Sequence, residues 1–251
     1  METEKILDYN VASNPAGECV DRVCQWIEAG ERSRFFVCAN PHSLVLAEDD
    51  PVFKAALQAA DLATPDGVGI VLASKMRGGR IRERVTGSDI FEGLSRALNN
   101  RAGERSYFFL GSTEATLAAI REKLAKDYPN IRFAGCYSPP YKDAFSKEDS
   151  DRMIAAVNQA RPDVLWVGMT APKQEKWVFQ HKDRLDVKFI GAVGAVFDFY
   201  AGNVKRSHPV FQRVGFEWLP RLIRNPRRLW RRMGVSAPVF MWYVAKERFK
   251  G

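Results

Sequence analysis

The chain places residues able to do chemistry in a few short stretches. The first is Ala63-Thr64-Pro65-Asp66-Gly67-Val68-Gly69-Ile70. Pro-Asp-Gly is a turn signature, and its aspartate can be a plain turn residue. The setting argues for more. Asp61-Leu62-Ala63-Thr64 reads as a short strand, and Ile70, Val71, Leu72 and Met76 as a helix that follows it. Asp66 then stands at a strand–helix junction, where a carboxylate can act as a general base. The second stretch, Arg82-Glu83-Arg84-Val85-Thr86-Gly87-Ser88-Asp89, sets two cations beside a glycine turn and a helix start. Arg84 can clamp a diphosphate, with Glu83 and Asp89 to position or neutralise it; a solvated charge cluster is the plainer alternative.

Four further stretches end apolar runs with small residues: Asn40-Pro41-His42-Ser43, Gly111-Ser112-Thr113, Gly168-Met169-Thr170-Ala171-Pro172-Lys173-Gln174-Glu175 and Gly191-Ala192-Val193-Gly194-Ala195. Glycine lets a ligand approach the backbone, and a helix N-terminus offers free N–H groups to an anion. Ser112-Thr113 can equally be a helix cap. Convergence of these stretches on one edge would suit a nucleotide diphosphate. Gln174 and Glu175 could hydrogen-bond a sugar or ribose there. Neither a G-x-G-x-x-G nor a Walker motif is present, so no dinucleotide or other cofactor is expected.

A metal is not expected either. Asp149-Ser150-Asp151 has D-x-D spacing, but Ser146 and Asp149 form a capping box, which makes these acids first-turn residues of a helix. His42, His181 and His208 lack ligand spacing. Cys19, Cys24, Cys38 and Cys136 include no C-x-x-C pair, and reduced structural thiols are expected.

The elements that must position these residues alternate. Strand-like runs at Phe35-Phe36-Val37-Cys38-Ala39, Ser106-Tyr107-Phe108-Phe109-Leu110, Ile131-Arg132-Phe133-Ala134-Gly135-Cys136, Val164-Leu165-Trp166-Val167 and Val187-Lys188-Phe189-Ile190 are separated by helical patterns. Asp50-Pro51 and Ser88-Asp89 read as helix starts. Such alternation predicts an α/β fold: a mostly parallel sheet with helices on both faces. Within the chain's 251 residues, composition changes near Asn203. We therefore expect a catalytic domain over residues 1–203 and a C-terminal appendage over 204–251.

Charge divides at the same place. Residues 205–251 hold 12 Lys and Arg against 2 acids, while residues 1–204 hold 26 basic and 28 acidic residues. In the tail, arginines alternate with Trp218, Leu222, Leu229 and Trp230, and Asn225-Pro226 reads as a helix start. This pattern suits an anionic membrane surface, with apolar groups at the acyl boundary and Arg on lipid phosphate. A solvated basic face is the alternative. No nucleic-acid-binding motif is visible, so nucleic acid is not an expected partner. Residues 235–245 are apolar, too short to span a bilayer, and able to dip into its interface. No uninterrupted run reaches membrane-spanning length, and residues 1–10 lack a signal-peptide pattern.

Taken in order, these motifs resemble the WecG/TagA/CpsF family, glycosyltransferase family 26. The resemblance rests on Asn40-Pro41, Pro65-Asp66-Gly67-Val68-Gly69, Glu83-Arg84-Val85-Thr86-Gly87-Ser88-Asp89, Phe109-Leu110-Gly111-Ser112, residues 168–177 and 191–198, and Glu217-Trp218-Leu219 with Arg221-Leu222 and Pro226-Arg227-Arg228-Leu229. It implies a Rossmann-like fold whose appendage completes the site at the membrane. It also implies an inverting, metal-independent hexosyltransferase that moves a sugar from a UDP-sugar to an undecaprenyl-diphosphate-linked saccharide, peripheral on the cytoplasmic face of the plasma membrane, in cell-surface polysaccharide synthesis. Asp66 matches the family's proposed base. Arg221, Arg224, Arg227 and Arg228 match arginines proposed to meet the lipid diphosphate. Two positions depart from the pattern: Cys38 and Ala39 precede Asn40 where the family often has Thr, and Ser207-His208 stands where Ala-Pro is expected.

The rival readings are a sugar-nucleotide epimerase or oxidoreductase on a similar sheet, and a non-enzymatic nucleic-acid binder using the basic tail. The transferred sugar is left open among N-acetylmannosamine, its uronic acid and glucose, and a homo-oligomer is compatible with the chain.

Overall fold

The computed structural model of the protein describes residues 1–204 and 231–248. Arg221, Arg224, Arg227 and Arg228, with the helix start expected at Asn225-Pro226, lie outside the described residues. The order of elements is β1 (Thr3–Ile6), β2 (Tyr9–Ala12), α1 (Ala16–Glu28), β3 (Arg34–Ala39), α2 (Pro41–Glu48), α3 (Pro51–Gln58), β4 (Leu62–Pro65), α4 (Val68–Met76), α5 (Gly87–Asn99), β5 (Arg105–Gly111), α6 (Glu114–Asp127), β6 (Ile131–Tyr137), α7 (Lys147–Ala160), β7 (Val164–Gly168), α8 (Lys173–His181), β8 (Phe189–Ala192), α9 (Val196–Ala201) and α10 (Ala237–Arg248). A π-helical turn, Arg231–Ser236, leads into α10.

Six strands form one parallel sheet in the order β4-β3-β8-β7-β5-β6. The expected α/β architecture holds. One apolar layer joins one face of the sheet to α2, α3, α4, α7, α8 and α10 through residues such as Leu44, Phe53, Ile70, Met153 and Trp177. The other joins the opposite face to α1, α5, α6 and α9 through Val23, Phe91, Leu117 and Phe197. A sheet buried on both faces needs strands that are apolar throughout, and β5 and β7 are buried at nearly every position.

Helix starts follow the cap chemistry. Asp50 accepts from the Phe53 N–H at 3.0 Å, and Ser146 and Asp149 form the expected box. The helix expected to open at Ser88-Asp89 opens one residue earlier, because Thr86 is its cap and Asp89 its reciprocal partner. The last strand begins at Phe189 rather than Val187, since Arg34 pairs with Phe189 where β3 meets β8. Two elements had no expectation: the antiparallel β1–β2 hairpin and α1. Cys19 and Cys24 are buried on the inner face of α1, and all four cysteines are free.

Glycine within the strands serves ring packing. A Cβ on Gly191 would sit 2.3 Å from the Trp166 ring, and one on Gly168 would sit 2.4 Å from Phe197. Their small size is therefore already required by the core below the strand ends.

The last helix shares that core. α10 packs on α2 and α4, with Phe240 and Val244 fully buried. Ser236 Oγ lies 2.8 Å from His42 Nδ1, and Glu247 pairs with Arg77. The apolar stretch 235–245, expected to dip into a membrane interface, is thus split. Phe240 and Val244 face the protein, while Val235 and Trp242 remain exposed. Among the described residues no helix is long and apolar enough to cross a membrane.

Gly191→Ala is expected to fold but to cost about 1–3 kcal/mol by overpacking against Trp166. That corresponds to a fall in thermal midpoint of roughly 2–10 °C. Calorimetry checks it; an unchanged midpoint would mean that the ring does not hold this space.

Candidate active site

In a parallel sheet every strand ends on the same edge. The predicted motifs therefore line up across it in the strand order: Asp66 after β4, Asn40 after β3, Gly194 after β8, residues 168–175 after β7, and Gly111-Ser112 at β5. β3 runs into α2 on one face while its neighbour β8 runs into α9 on the other. Divergence of this kind opens a crevice at the strand ends, the usual ligand position in α/β sheets.

The Asp66 turn is docked tightly to the end of β3. The Asp66 N–H donates to the Ala39 carbonyl at 2.8 Å, and the Val85 N–H donates to the Pro65 carbonyl at 2.9 Å. Gly67 has φ +121°, where a side chain would be strained, and it lies against Pro41 and Asn40. A Cβ on Gly69 would stand 2.5 Å from Pro41 Cγ. Both glycines thus let the turn lie flush on Asn40-Pro41. Asn40 caps α2, accepting from the Ser43 N–H at 2.9 Å, while its own N–H donates to Ser43 Oγ at 2.9 Å. Asp66 ends up half-buried on the ligand edge.

The second motif is brought alongside by the Val85 bond. Glu4 of the hairpin holds the preceding loop: its Oε2 accepts from the Arg80 N–H at 2.7 Å and from Ser74 Oγ at 2.8 Å. Arg84 is half-buried. A cavity of about 820 Å³ lies here, walled by Val68 and Val71 of α4, by Arg82, Glu83 and Arg84, and by Asp89 and Arg96 of α5. Asp66 lies just before α4, whose first turn lines this space. Asp89 Oδ2 accepts from the Thr86 N–H and the Thr86 hydroxyl, both at 2.8 Å, so part of its capacity goes to the capping box. Gly87 is buried under Cys38, whose Sγ would lie 3.3 Å from a Cβ there.

At the β5 end, Gly111 (φ +116°) and Ser112 (φ +61°) make a sharp left-handed turn. A Cβ on Gly111 would come within 2.5 Å of the Gly168 carbonyl oxygen, which ties this turn to the end of β7. Thr113, not Ser112, caps α6. After β7, the Ala171–Pro172 peptide is cis, and Pro172 precedes α8. Gln174 and Glu175 are both buried, at 4 % exposure. Gln174 Oε1 accepts from the Met169 N–H at 3.2 Å and the Gly194 N–H at 3.0 Å, and its Nε2 donates to Glu175 Oε1 at 2.8 Å. Its amide oxygen thus braces the β7 turn against the β8 turn.

Two residues given no part in the site, Cys38 and Thr64, lie close to Asp66. Burial pushes the Cys38 thiol well above its ordinary range, and the nearby carboxylates of Asp66 and Glu175 add to this. Thr64, paired with Cys38 across β3 and β4, is fully buried. The D-x-D acids are committed elsewhere. The Lys142 ammonium, then the Ser146 N–H, hold Asp149 down at about 2, and Lys147 with Arg184 hold Asp151 at about 2. Among the described residues no cluster of His, Cys, Asp and Glu is disposed to hold a metal.

The base candidate and several tight turns thus stand on one edge of the sheet, and the Arg84 loop docks beside the Asp66 turn through the Val85 bond. The model of the glycosyl transferase WecG/TagA/CpsF family matches residues 4–251. The chain belongs to this family. Among curated proteins, it is 34% identical over 216 residues to the N-acetylglucosaminyldiphosphoundecaprenol N-acetyl-beta-D-mannosaminyltransferase of Bacillus spizizenii, covering 86% of this chain and 80% of that one. The Bacillus subtilis protein of the same name is 31% identical, over 83% of this chain and 77% of its own. The Staphylococcus aureus protein of that name is 27% identical, over 86% and 81%. The chain is accordingly a glycosyltransferase of the hexosyltransferase class. Membership favours this reading over the epimerase, oxidoreductase and nucleic-acid-binder alternatives.

Gly69→Ala tests the docking of the turn. Its Cβ must displace Pro41 or the turn, and a shift of about 1 Å at a reacting group costs roughly a hundredfold in rate. We expect a folded protein with kcat/KM reduced on that scale. Wild-type turnover would show that the contact with Pro41 does not position Asp66.

Proposed function

We propose that this protein transfers a hexose residue from a UDP-sugar to a polyprenyl-diphosphate-linked saccharide with inversion and without a metal. The relatives' names favour N-acetylmannosamine as the sugar and N-acetylglucosaminyl-diphosphoundecaprenol as the acceptor. The observation that carries the reading is the half-buried Asp66, held by its own N–H to the end of β3 and flanked by the loop that brings in Arg84.

The acceptor hydroxyl attacks the anomeric carbon on the face opposite the diphosphate. Its oxygen forms the new glycosidic bond, the bond to the diphosphate oxygen breaks, and UDP leaves with the electron pair. Asp66 takes the hydroxyl proton, a contribution of about a hundred- to ten-thousand-fold. Charge grows on the leaving diphosphate, and fixed donors aimed at it lower the barrier. Arg84 supplies a cation. The turns at Asn40, Gly87, Gly111-Ser112, Pro172 and Gly194 bring backbone groups to the ligand edge, with Gly168 and Gly191 in the strand ends beneath them.

The appendage reading follows from composition. Arg221, Arg224, Arg227 and Arg228 meet the lipid diphosphate and the anionic surface. The enzyme then works peripherally on the cytoplasmic face of the plasma membrane, where it feeds cell-surface polysaccharide synthesis.

Asp66→Asn, assayed beside wild type in EDTA, is expected to lose transfer by at least about a hundredfold while still binding the UDP-sugar. Equal turnover in the two proteins would remove Asp66 as the base, and a wild-type enzyme that needs an added divalent ion would remove the metal-free mechanism. Replacing Arg221, Arg224, Arg227 and Arg228 together with Ala is expected to abolish flotation with anionic vesicles, since each is worth about 1 kcal/mol at such a surface. Undiminished flotation would move the membrane contact elsewhere.

A further inference from the structure

Glu175 is a buried carboxyl on the first turn of α8, at the ligand edge. Its Oε1 accepts from Gln174 Nε2, while its Oε2 is enclosed and has no hydrogen-bond partner among the described residues. Gln174 has a single workable orientation. Its Oε1 faces two backbone N–H groups, those of Met169 and Gly194, so its NH₂ must point the other way, towards an acceptor. Glu175 is that acceptor.

Among the described residues, no cation pairs with this carboxyl. On its own helix, Lys173 reaches the Lys142 carbonyl and lies over the Tyr141 and Phe145 rings, and Lys176 pairs with Asp50 at 2.8 Å. From β3 the Cys38 thiol faces it, and Asp66 acts on that same thiol from the end of β4. Two carboxyls thus bracket one buried sulfur, one half-exposed and one enclosed.

We propose that Glu175 is a positioning residue that works as a neutral acid: it orients Gln174, which braces the β7 and β8 turns, and it keeps a second negative charge away from the diphosphate. The inference rests on the transferase reading above and adds a group to that site. Burial pushes the carboxyl up to about 7, so the neutral form predominates under mildly acidic conditions and gives way to the charged form through neutral pH. Above that range its ionisation puts a second anion beside Asp66, where the donor's diphosphate must bind. The stability consequence has a definite sign. A carboxyl raised in the folded state favours folding fully only below its unfolded value, about 4.3, and loses that advantage as the pH rises towards about 7.

The test compares Glu175→Gln, Glu175→Ala and wild type from about pH 6 to 8.5. Wild-type kcat/KM is expected to fall at least about fivefold across the upper half of this range, as one added like charge near the diphosphate requires. Glu175→Gln keeps the acceptor oxygen and cannot ionise. It should match wild type near pH 6 within about threefold, show no falling limb, and melt higher than wild type near pH 8. Glu175→Ala loses the brace and should be at least about tenfold slower throughout. A folded Glu175→Gln that is inactive, or that keeps the wild-type limb, overturns the proposal. If neither variant folds, UDP affinity of the wild type decides by calorimetry: a fall of about fivefold over the same range supports it, and a flat profile refutes it. A wild-type protein that neither binds UDP nor turns over retires the transferase reading itself. Turnover with an unaltered limb in Glu175→Gln retires only the part given to Glu175.

Discussion

The 2.8 Å hydrogen bond from the Asp66 amide to the Ala39 carbonyl extends the β3–β4 ladder by one residue past the strand, and the site depends on that extension. A backbone bond of this kind is worth only about 1 kcal/mol net, yet it fixes where the chain turns. Below it, Pro41 fills the space that a side chain at position 69 would need. Above it, the Val85 amide docks on the Pro65 carbonyl and brings the Arg84 loop to the same place. Removing the flush contact would leave a carboxylate and a cation near one another without fixing their separation.

Three parts of the fold hold this arrangement from behind. Glu4 on the N-terminal hairpin gathers Ser74, Arg80 and Ile81 onto one carboxylate oxygen, so the loop carrying Arg84 has a fixed root. The Gln174 amide ties the turn after β7 to the turn after β8. α10 returns to the body beside α2 and α4, the two helices that start at Asn40-Pro41 and Gly67-Val68. Its buried Phe240 and Val244 make the end of the chain part of the support behind the site.

Charge is arranged with the same economy. Ion pairs away from the ligand edge consume the acids that could imitate a metal site, as Lys142, Lys147 and Arg184 do for Asp149 and Asp151. At the edge, one carboxylate is half-exposed and the other is enclosed among neutral groups.

Much of the architecture was legible in the residues alone, because local chemistry acts locally. Apolar runs of β-branched and aromatic residues marked β3, β5 and β7, Asp50 and Ser146 announced helix starts through hydrogen bonds that span only three residues, and Pro-Asp-Gly announced a turn by its residue types. The ordered motifs carried the family. The β1–β2 hairpin was not anticipated, since four-residue strands give little periodicity and their value lies in contacts such as Glu4 with Arg80, far apart in sequence; α1 was legible in the helical spacing of Cys19, Val20, Val23, Cys24 and Ile27 and was missed. That Gly168 and Gly191 also make room for Phe197 and Trp166 was something only the packed sheet could reveal. The bracing by Gln174 was hidden for the same reason: its partners, Met169 and Gly194, belong to two different strand ends. Residue types and local spacing determined which groups could act. The tertiary structure alone decided which of them meet, because burial and long-range hydrogen bonds are properties of the assembled layers and not of any one segment.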